Sequence, residues 1–336
     1  MREPLSRRHP TRARASARTV REELAATLAA IDEGRVVSRF GEQADVEQAD
    51  GSVVRCAIRK TLEKVVCGDR VQWQRFAQPQ HELHGVVSAL LERRSLLQRP
   101  DPYDGLKPVA ANVDRLVVVS APLPTFSRLL LDRYLVAADA SGIPPLIVIN
   151  KCDLLSADEQ ALLHKELAPY AALDYPLIWV SASSGAGLEQ LEQQLRGLTS
   201  VVVGQSGVGK SSLINALHPA ATLAVGELSL LSGLGQHTTT AARLFHLPCG
   251  GDLIDSPGVR EFALWHLEPE AILRGFGEIA DAALECRFRD CRHRQEPGCA
   301  VRAGVAAGRI DGQRYDNYLK ILDSLTSDRP RRHIQL

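Results

Sequence analysis

The segment VVVGQSGVGKSSLINAL, at residues 201–217, contains the residue types that bind a nucleotide through its phosphates. Gly204, Gly209, Lys210 and Ser211 match the pattern G-x-x-x-x-G-K-[S/T], between an apolar strand-like run and a helix start. The glycines let backbone N–H groups surround phosphate oxygens, Lys210 supplies positive charge, and the Ser211 hydroxyl is a candidate Mg²⁺ ligand. We therefore predict a phosphate loop whose contacts are Gly204, Gln205, Ser206, Gly207, Val208, Gly209, Lys210, Ser211 and Ser212.

A second pattern, NKCD, follows the apolar run PPLIVI. Asp153 can accept hydrogen bonds from both N1–H and the exocyclic amino group of guanine, which adenine does not present in that arrangement. Asn150 can connect neighbouring loops, and the aliphatic stem of Lys151 can cover the base. A further run ends at VSAS, where backbone N–H groups can reach the guanine oxygen. These elements favour GTP over ATP, with contacts predicted at Asn150, Lys151, Cys152, Asp153, Ser181 and Ala182.

Two later segments are candidates for sensing the γ-phosphate. DSPG ends the last buried run, so Asp255 can hold Mg²⁺ through water and the Gly258 N–H can reach the γ-phosphate. GQHTTT, at residues 235–240, lies in a Gly/Ser-rich stretch, and Thr239 is our candidate for the sensing threonine.

Three cysteines and one histidine form the spacing C-x4-C-x-H-x5-C, at Cys286, Cys291, His293 and Cys299. Three thiolates and an imidazole, with no open fourth position, suit one tetrahedral structural zinc ion. An iron–sulfur cluster or unligated core cysteines are the alternatives.

The elements that position these residues fall into three blocks. Short β runs at residues 34–99 predict a small antiparallel barrel or sandwich, and a barrel of either the oligonucleotide-binding (OB) or the SH3-like type fits the length. Continuous apolar runs alternate with helical stretches from 113 to about 260, which indicates a doubly wound, mostly parallel sheet with ligands at the carboxyl ends of its strands. The last block is helical around the cysteine cluster.

The charge is balanced overall, with 40 basic and 40 acidic residues, but residues 1–21 carry seven arginines against Glu3 alone. Such a segment is expected to be disordered and suits a polyanion partner; a solvated tail and a transit peptide are the other interpretations. The sequence contains neither a membrane-spanning apolar run nor a secretory leader, so a cytoplasmic location is expected.

The order of these motifs is unusual, because the base-reading elements precede the phosphate loop. In this order the chain resembles a circularly permuted GTPase, and with a barrel before it and a Cys/His cluster after it, it resembles the small ribosomal subunit biogenesis GTPases over residues 34–325. The resemblance implies an enzyme that hydrolyses GTP to GDP and phosphate, is stimulated by the small ribosomal subunit and its rRNA, and acts late in subunit maturation. A monomer is expected, although the sequence has no feature that fixes the oligomeric state. The alternative is a ribosome-independent nucleotide hydrolase or a metal-delivery protein. The implied domains are a disordered basic tail (1–33), an RNA-binding OB barrel (34–100), a permuted GTPase domain (113–261) and an α-helical zinc domain with a basic tail (262–336).

The catalytic residue is the least direct of these predictions. Val259 stands where related GTPases often have a water-orienting glutamine, so intrinsic hydrolysis is expected to be slow. His237 has a side chain whose ordinary pKa is near neutrality, and the matching histidine in the resembled family is regarded as catalytic. We therefore predict that His237 orients water, with a loop histidine of no special role as the alternative.

Overall fold

The computed structural model describes residues 28–80, 82–101, 105–218, 242–255, 264 and 266–327. The chain divides into two compact units, one of Met1–Val65 with Arg70–Glu92 and one of Val66–Asp69 with Arg93–Leu336. The Arg-rich tail and the boundary predicted between residues 261 and 262 lie outside the described residues. Among the helices in the described ranges, none is both long enough and apolar enough for a bilayer crossing.

The first unit is a closed five-stranded barrel, as the OB-type prediction requires. Its strands are β1 (Leu28–Phe40), β2 (Gln43–Glu47), β3 (Val53–Ile58), β4 (Arg70–Gln80) and β5 (Leu83–Leu90). They lie in the order β1-β2-β3-β5-β4, and β1 also pairs with β4 to close the barrel. All pairs are antiparallel except β3 with β5. The buried Trp73 fills the interior together with Val36, Val46 and Val87.

Two features of the barrel differ from the sequence prediction. Strand β1 begins at Leu28, six residues before the predicted start of the barrel at residue 34, and the sequence of β2 gives only a weak indication of a strand. In β2 only Ala44 and Val46 face the core, and polar residues flank both. So short an alternation of small apolar and polar residues is a weak strand signal.

The second unit begins with a hairpin, β6 (Leu96–Asp101) and β7 (Gly105–Ala111), which packs with the short segment Val66–Asp69. Asp69 is fully buried and forms a two-point ion pair with Arg93, at 2.7 and 2.9 Å. The same carboxylate accepts a hydrogen bond from the Val66 N–H at 2.7 Å. These contacts fix the segment within this unit.

A six-stranded sheet forms the centre of the second unit. Its strands are β8 (Arg115–Ser120), β9 (Pro145–Ile149), β10 (Leu177–Trp179), β11 (Thr199–Val203), β12 (Arg243–His246) and β13 (Asp252–Asp255). They lie in the order β10-β9-β8-β11-β13-β12, and all neighbouring pairs are parallel except β12 with β13. Val117 and Val119 are buried on one face of β8, and Leu116 and Val118 are buried on the other. The predicted sheet, covered on both faces, is confirmed.

In the described residues, the helices that lie between the strands of this sheet are α1 (Arg128–Ser141), α2 (Ala157–Ala172), α3 (Leu188–Leu195) and α4 (Lys210–Leu217). Helix α2 begins with a reciprocal capping box between Ser156 and Glu159, and α1 ends at Gly142 in the left-handed region. Leu191, Leu195 and Leu213 of α3 and α4 pack with Val117 of the sheet. Because the parallel strands share one direction, the loops at their carboxyl ends meet along one edge of the sheet.

The part of the chain described after the sheet contains four helices: α5 (Pro269–Arg274), α6 (Gly277–Ala283), α7 (Ala300–Ala306) and α8 (Gly312–Ser327). A buried charge cluster connects α6 and α8 to α1. The Arg314 guanidinium donates to Asp132 at 2.6 Å and to Glu278 at 2.5 Å, while Asn317 and Tyr170 donate to Asp132 at 2.7 and 3.0 Å. Burial raises the pKa of Asp132 to about 6, and Arg314 opposes that rise. The last helix is thus bonded to the first helix of the sheet.

Candidate functional site

The predicted phosphate loop connects the fully buried strand β11 to helix α4. Gly204 and Gly209 have φ values of 146° and 90°, a region that other residues seldom adopt. A Cβ at Gly204 would lie 2.2 Å from the Val119 carbonyl oxygen, and one at Gly209 would lie 2.4 Å from Asn150 Nδ2. Both positions therefore require glycine for conformation and for space.

Lys210 begins α4 and its ammonium turns back into the loop. Its Nζ donates to the carbonyl oxygens of Gly204 at 2.6 Å and Gln205 at 2.8 Å. Ser211 and Ser212 are exposed in the first turn of α4, where backbone N–H groups and the helix dipole favour an anion. A phosphate in this loop would compete with the two carbonyl groups for the Lys210 ammonium.

Asn150 connects three loops at this edge of the sheet, as its position after β9 predicts. Its buried amide donates to the Val208 carbonyl of the phosphate loop at 2.9 Å. Its Oδ1 accepts from the Ala182 N–H of the second predicted base loop at 3.2 Å. Lys151 adds a second bridge, because its Nζ donates to Gly207 O at 2.5 Å and to Leu123 O at 2.9 Å. The structure thus brings the predicted base-reading and phosphate-binding segments together.

Asp153 follows Cys152 in a single 3₁₀ turn, and its carboxylate is exposed. The Ser183 hydroxyl donates to Asp153 Oδ2 at 3.0 Å and lies 3.0 Å from the hydroxyl of the buried Ser181. Hydrogen bonds from Ser181 and Ser183 hold the pKa of Asp153 below its ordinary value. This carboxylate therefore stays ionised and able to accept from a base.

Asp255 ends β13, directly beside Val202 of the strand that precedes the phosphate loop. Burial raises its pKa, and the positive charge of Lys210 opposes that rise. A half-buried carboxylate beside this lysine is placed where a magnesium ion on the phosphates would need a counter-charge. His237, Thr239 and Gly258 lie outside the described residues, so their roles remain predictions.

The four predicted metal ligands lie together. Ligand atoms of Cys286, Cys291, His293 and Cys299 are all within 4.8 Å of one another. His293 Nδ1 is 3.6 Å from the sulfur atoms of Cys286 and Cys299, which are 4.0 Å apart. In a tetrahedral site with Zn–S bonds of about 2.3 Å, ligand atoms lie about 3.5–3.8 Å apart. Both the donor set and the spacing fit a tetrahedral metal ion.

Two contacts near these sites were not predicted from the sequence. The carbonyl group of Leu123 holds Lys151, and the carboxylate of Glu296 organises the metal loop. No spacing pattern marks a backbone acceptor such as Leu123. Glu296 did carry a signal, since it lies between two ligands in a turn of consecutive polar residues.

Glu296 accepts hydrogen bonds from the backbone N–H groups of Arg292, Arg294 and Gln295, at 3.1, 2.9 and 3.0 Å. Together with its own N–H, these groups lower the pKa of Glu296 to about 2. The bonds fix the loop on both sides of His293, so they orient a ligand through the backbone.

We expect the Glu296→Gln substitution to weaken metal binding by about tenfold, because the loop loses its anionic centre. Competition between the protein and a chromogenic chelator for Zn²⁺ measures this directly. Glu285→Gln is the matched control, since Glu285 is an exposed carboxylate next to Cys286. Equal affinities for the two variants would contradict a role for Glu296 in organising the site.

Comparisons with known proteins agree with this geometry. Residues 90–265 match the family model described as RsgA GTPase. The small ribosomal subunit biogenesis GTPase RsgA 1 of Vibrio vulnificus is 51% identical over 300 residues, covering 89% of this chain and 85% of that protein. The protein named RsgA from Photorhabdus laumondii is 50% identical over 304 residues, covering 89% and 87%.

Two solved structures share the fold. YjeQ from Thermotoga maritima is 34% identical with a TM-score of 0.70, covering 88% of this chain and 99% of that one. YloQ, described as a circularly permuted GTPase, is 28% identical with a TM-score of 0.68, covering 90% and 97%. The phosphate loop after the fourth strand of the sheet, the preceding barrel and the Cys/His cluster therefore belong to one known architecture, and this chain is a member of the RsgA GTPase family with a circularly permuted GTPase domain.

Proposed function

We propose that the protein acts in the biogenesis of the small ribosomal subunit, where it binds the subunit and its rRNA and hydrolyses GTP to GDP and phosphate. The observation that carries the proposal is that Asn150 joins the predicted base-reading and phosphate-binding loops, in a chain that also contains a Cys/His cluster able to hold a metal ion. That chain is about half identical to proteins of this name over 85–87% of their length. We place its action late in maturation and in the cytoplasm, and we propose that it works as a monomer.

In this proposal the nucleotide lies across the loops at the carboxyl ends of β9, β10 and β11. Asp153 accepts from the guanine N1–H and amino groups, and the Lys151 stem lies over the base. The phosphate-loop N–H groups and Lys210 hold the phosphates, and the protein offers Ser211 and Asp255 to Mg²⁺. That ion, when bound, neutralises charge on the β- and γ-phosphates.

Hydrolysis in this scheme depends on the segment at residues 235–240. We propose that His237 orients the attacking water, because Val259 has no polar group for that task. Thr239 and the Gly258 N–H would contact the γ-phosphate and so distinguish GTP from GDP. We propose that contact with the small subunit positions His237 for this task and so stimulates hydrolysis.

The metal cluster has a structural role in this proposal. We assign zinc to it, because three thiolates with an imidazole leave no open position for a reaction. The ion would join the segment of Cys286, Cys291 and His293 to Cys299 at the start of α7, and so stabilise the fold of these residues.

A sedimentation experiment tests the partner. Full-length protein is mixed with purified small or large ribosomal subunits, with either GDP or a non-hydrolysable GTP analogue, and pelleted. We expect retention on the small subunit, stronger with the GTP analogue and weaker as salt is raised, because rRNA contacts release counterions. Equal retention on both subunits in every nucleotide state would contradict the proposal and favour the alternatives, a ribosome-independent hydrolase or a metal-delivery protein.

A further inference from the structure

The hydroxyl of Ser183 makes a contact that the nucleotide motifs do not require. Ser183 lies two residues after Ser181 in the loop that follows β10, on a different strand end from Asp153. Its Oγ donates to Asp153 Oδ2 at 3.0 Å across 30 residues of sequence. The contact therefore links the two predicted base-reading loops through their side chains.

The serine is itself held in place. Its Oγ lies 3.0 Å from the Oγ of Ser181, which is fully buried and accepts from the Ser184 N–H at 3.0 Å. Ser181 is fixed in turn by backbone bonds of its N–H to Ala186 O and of its carbonyl to the Gly185 N–H, both at 2.9 Å. The loop thus presents the Ser183 hydroxyl to Oδ2 of an otherwise exposed carboxylate, whose pKa is lowered by hydrogen bonding to Ser181 as well as to Ser183.

We propose that Ser183 is a positioning residue that sets guanine specificity by fixing the rotation of the Asp153 carboxylate. The proposal rests on the assignment of Asp153 as the base reader. An aspartate carboxylate turns easily about its last side-chain bond, since that torsion is broad. A hydrogen bond to Oδ2 uses one lone pair of that oxygen and leaves the other pair, with all of Oδ1, for a ligand. The carboxylate is then oriented before the base arrives, which lowers the entropy cost of binding.

Orientation affects different bases unequally. Guanine offers two donors, N1–H and the amino group, so it forms both hydrogen bonds with good geometry only when both carboxylate oxygens lie in the plane of the base. Hypoxanthine lacks the amino group and offers N1–H alone, so it tolerates a rotated carboxylate. Loss of the Ser183 hydroxyl should therefore weaken the binding of guanine more than the binding of hypoxanthine.

The test is a titration of the full-length protein with fluorescent GDP and with competing IDP, the inosine nucleotide. For Ser183→Ala we expect the affinity for GDP to fall about fivefold, the size of one net hydrogen bond, while the affinity for IDP changes less than twofold. The ratio of the affinity for GDP to the affinity for IDP should therefore become smaller. In turnover assays KM for GTP should rise with kcat unchanged, because the contact is made equally in the ground state and the transition state.

Two further variants separate positioning from a general effect on the loop. Ser183→Thr keeps the hydroxyl and, at an exposed position, should restore the preference for GDP. Ser184→Ala removes a neighbouring exposed hydroxyl, which accepts only a 3.4 Å bond from the Ala186 N–H among the bonds described for it, and should bind both nucleotides like the parent.

The proposal is overturned if Ser183→Ala weakens the binding of GDP and of IDP by the same factor. It is also overturned if the Ser183→Thr variant shows the same loss of preference for GDP as the Ser183→Ala variant. A different result would overturn the base-reading assignment itself, namely a parent protein that binds ADP as tightly as GDP. These two failures are distinguishable, because the first leaves the parent's preference for guanine intact.

Discussion

The Arg314→Ala substitution will lower the free energy of unfolding of the sheet-containing unit by about 3–5 kcal/mol. Arg314 is 1% exposed and donates to Asp132, which is fully buried, and to Glu278. Alanine removes the guanidinium that contacts both carboxylates, so Asp132 and Glu278 lose their direct charge partner. The loss of stability should be large because a buried charge without a partner is costly. By contrast, an intact buried ion pair gives little more stability than apolar side chains packed in its place.

Chemical denaturation followed by far-UV circular dichroism measures this change. Lys320→Ala is the control on the same helix; its side chain is exposed, so its effect should stay within about 0.5 kcal/mol. A double-mutant cycle with Asp132→Ala should return a coupling energy above about 1 kcal/mol, since the two side chains are in direct contact. A loss below about 1 kcal/mol for Arg314→Ala would show that this cluster does not stabilise the packing of α8 on α1.

The Lys210→Ala substitution should reduce GTP turnover by roughly 100- to 1,000-fold, the range for removal of one preorganised charge from a transition state. The ammonium already lies inside the loop, within 2.8 Å of two of its carbonyl oxygens. Its charge also opposes the rise that burial causes in the pKa of Asp255, so its loss should raise that pKa further and weaken magnesium binding. Both effects act on the outer phosphates, where charge develops during hydrolysis.

Phosphate release under saturating GTP and Mg²⁺ provides the measurement. Lys165→Ala is a suitable control, because this lysine is exposed on α2 and the fold should be equally preserved in both variants. Thermal melts establish that preservation independently. If the Lys210 variant turned over within threefold of the parent, the loop would not be the site of hydrolysis.

The motifs of the predicted nucleotide site could be recognised in the sequence because the residues of each motif lie close together along the chain. The phosphate loop needs Gly204 and Gly209 at fixed spacing around one turn, and the structure shows a backbone that only glycine fits at both. The metal ligands likewise fall within 14 residues, so their proximity follows from the chain itself.

Other features depend on contacts between distant segments. Asp132 and Arg314 are 182 residues apart, and each lies in a helix where a charged side chain would ordinarily be taken as solvated. The hairpin at Leu96–Asp101 and Gly105–Ala111 contains two prolines, which weaken its strand signal. For Ser183, the sequence predicts a role of the backbone N–H alone, because nothing in it indicates that the hydroxyl reaches Asp153.

The proposed function is tested most directly by GTP hydrolysis of the purified full-length protein, measured alone and with added small or large ribosomal subunits. We predict slow hydrolysis by the protein alone, strong stimulation by the small subunit and none by the large one, with no turnover of ATP in any mixture. Rates that are the same with and without small subunits, or equal for GTP and ATP, would contradict the proposal.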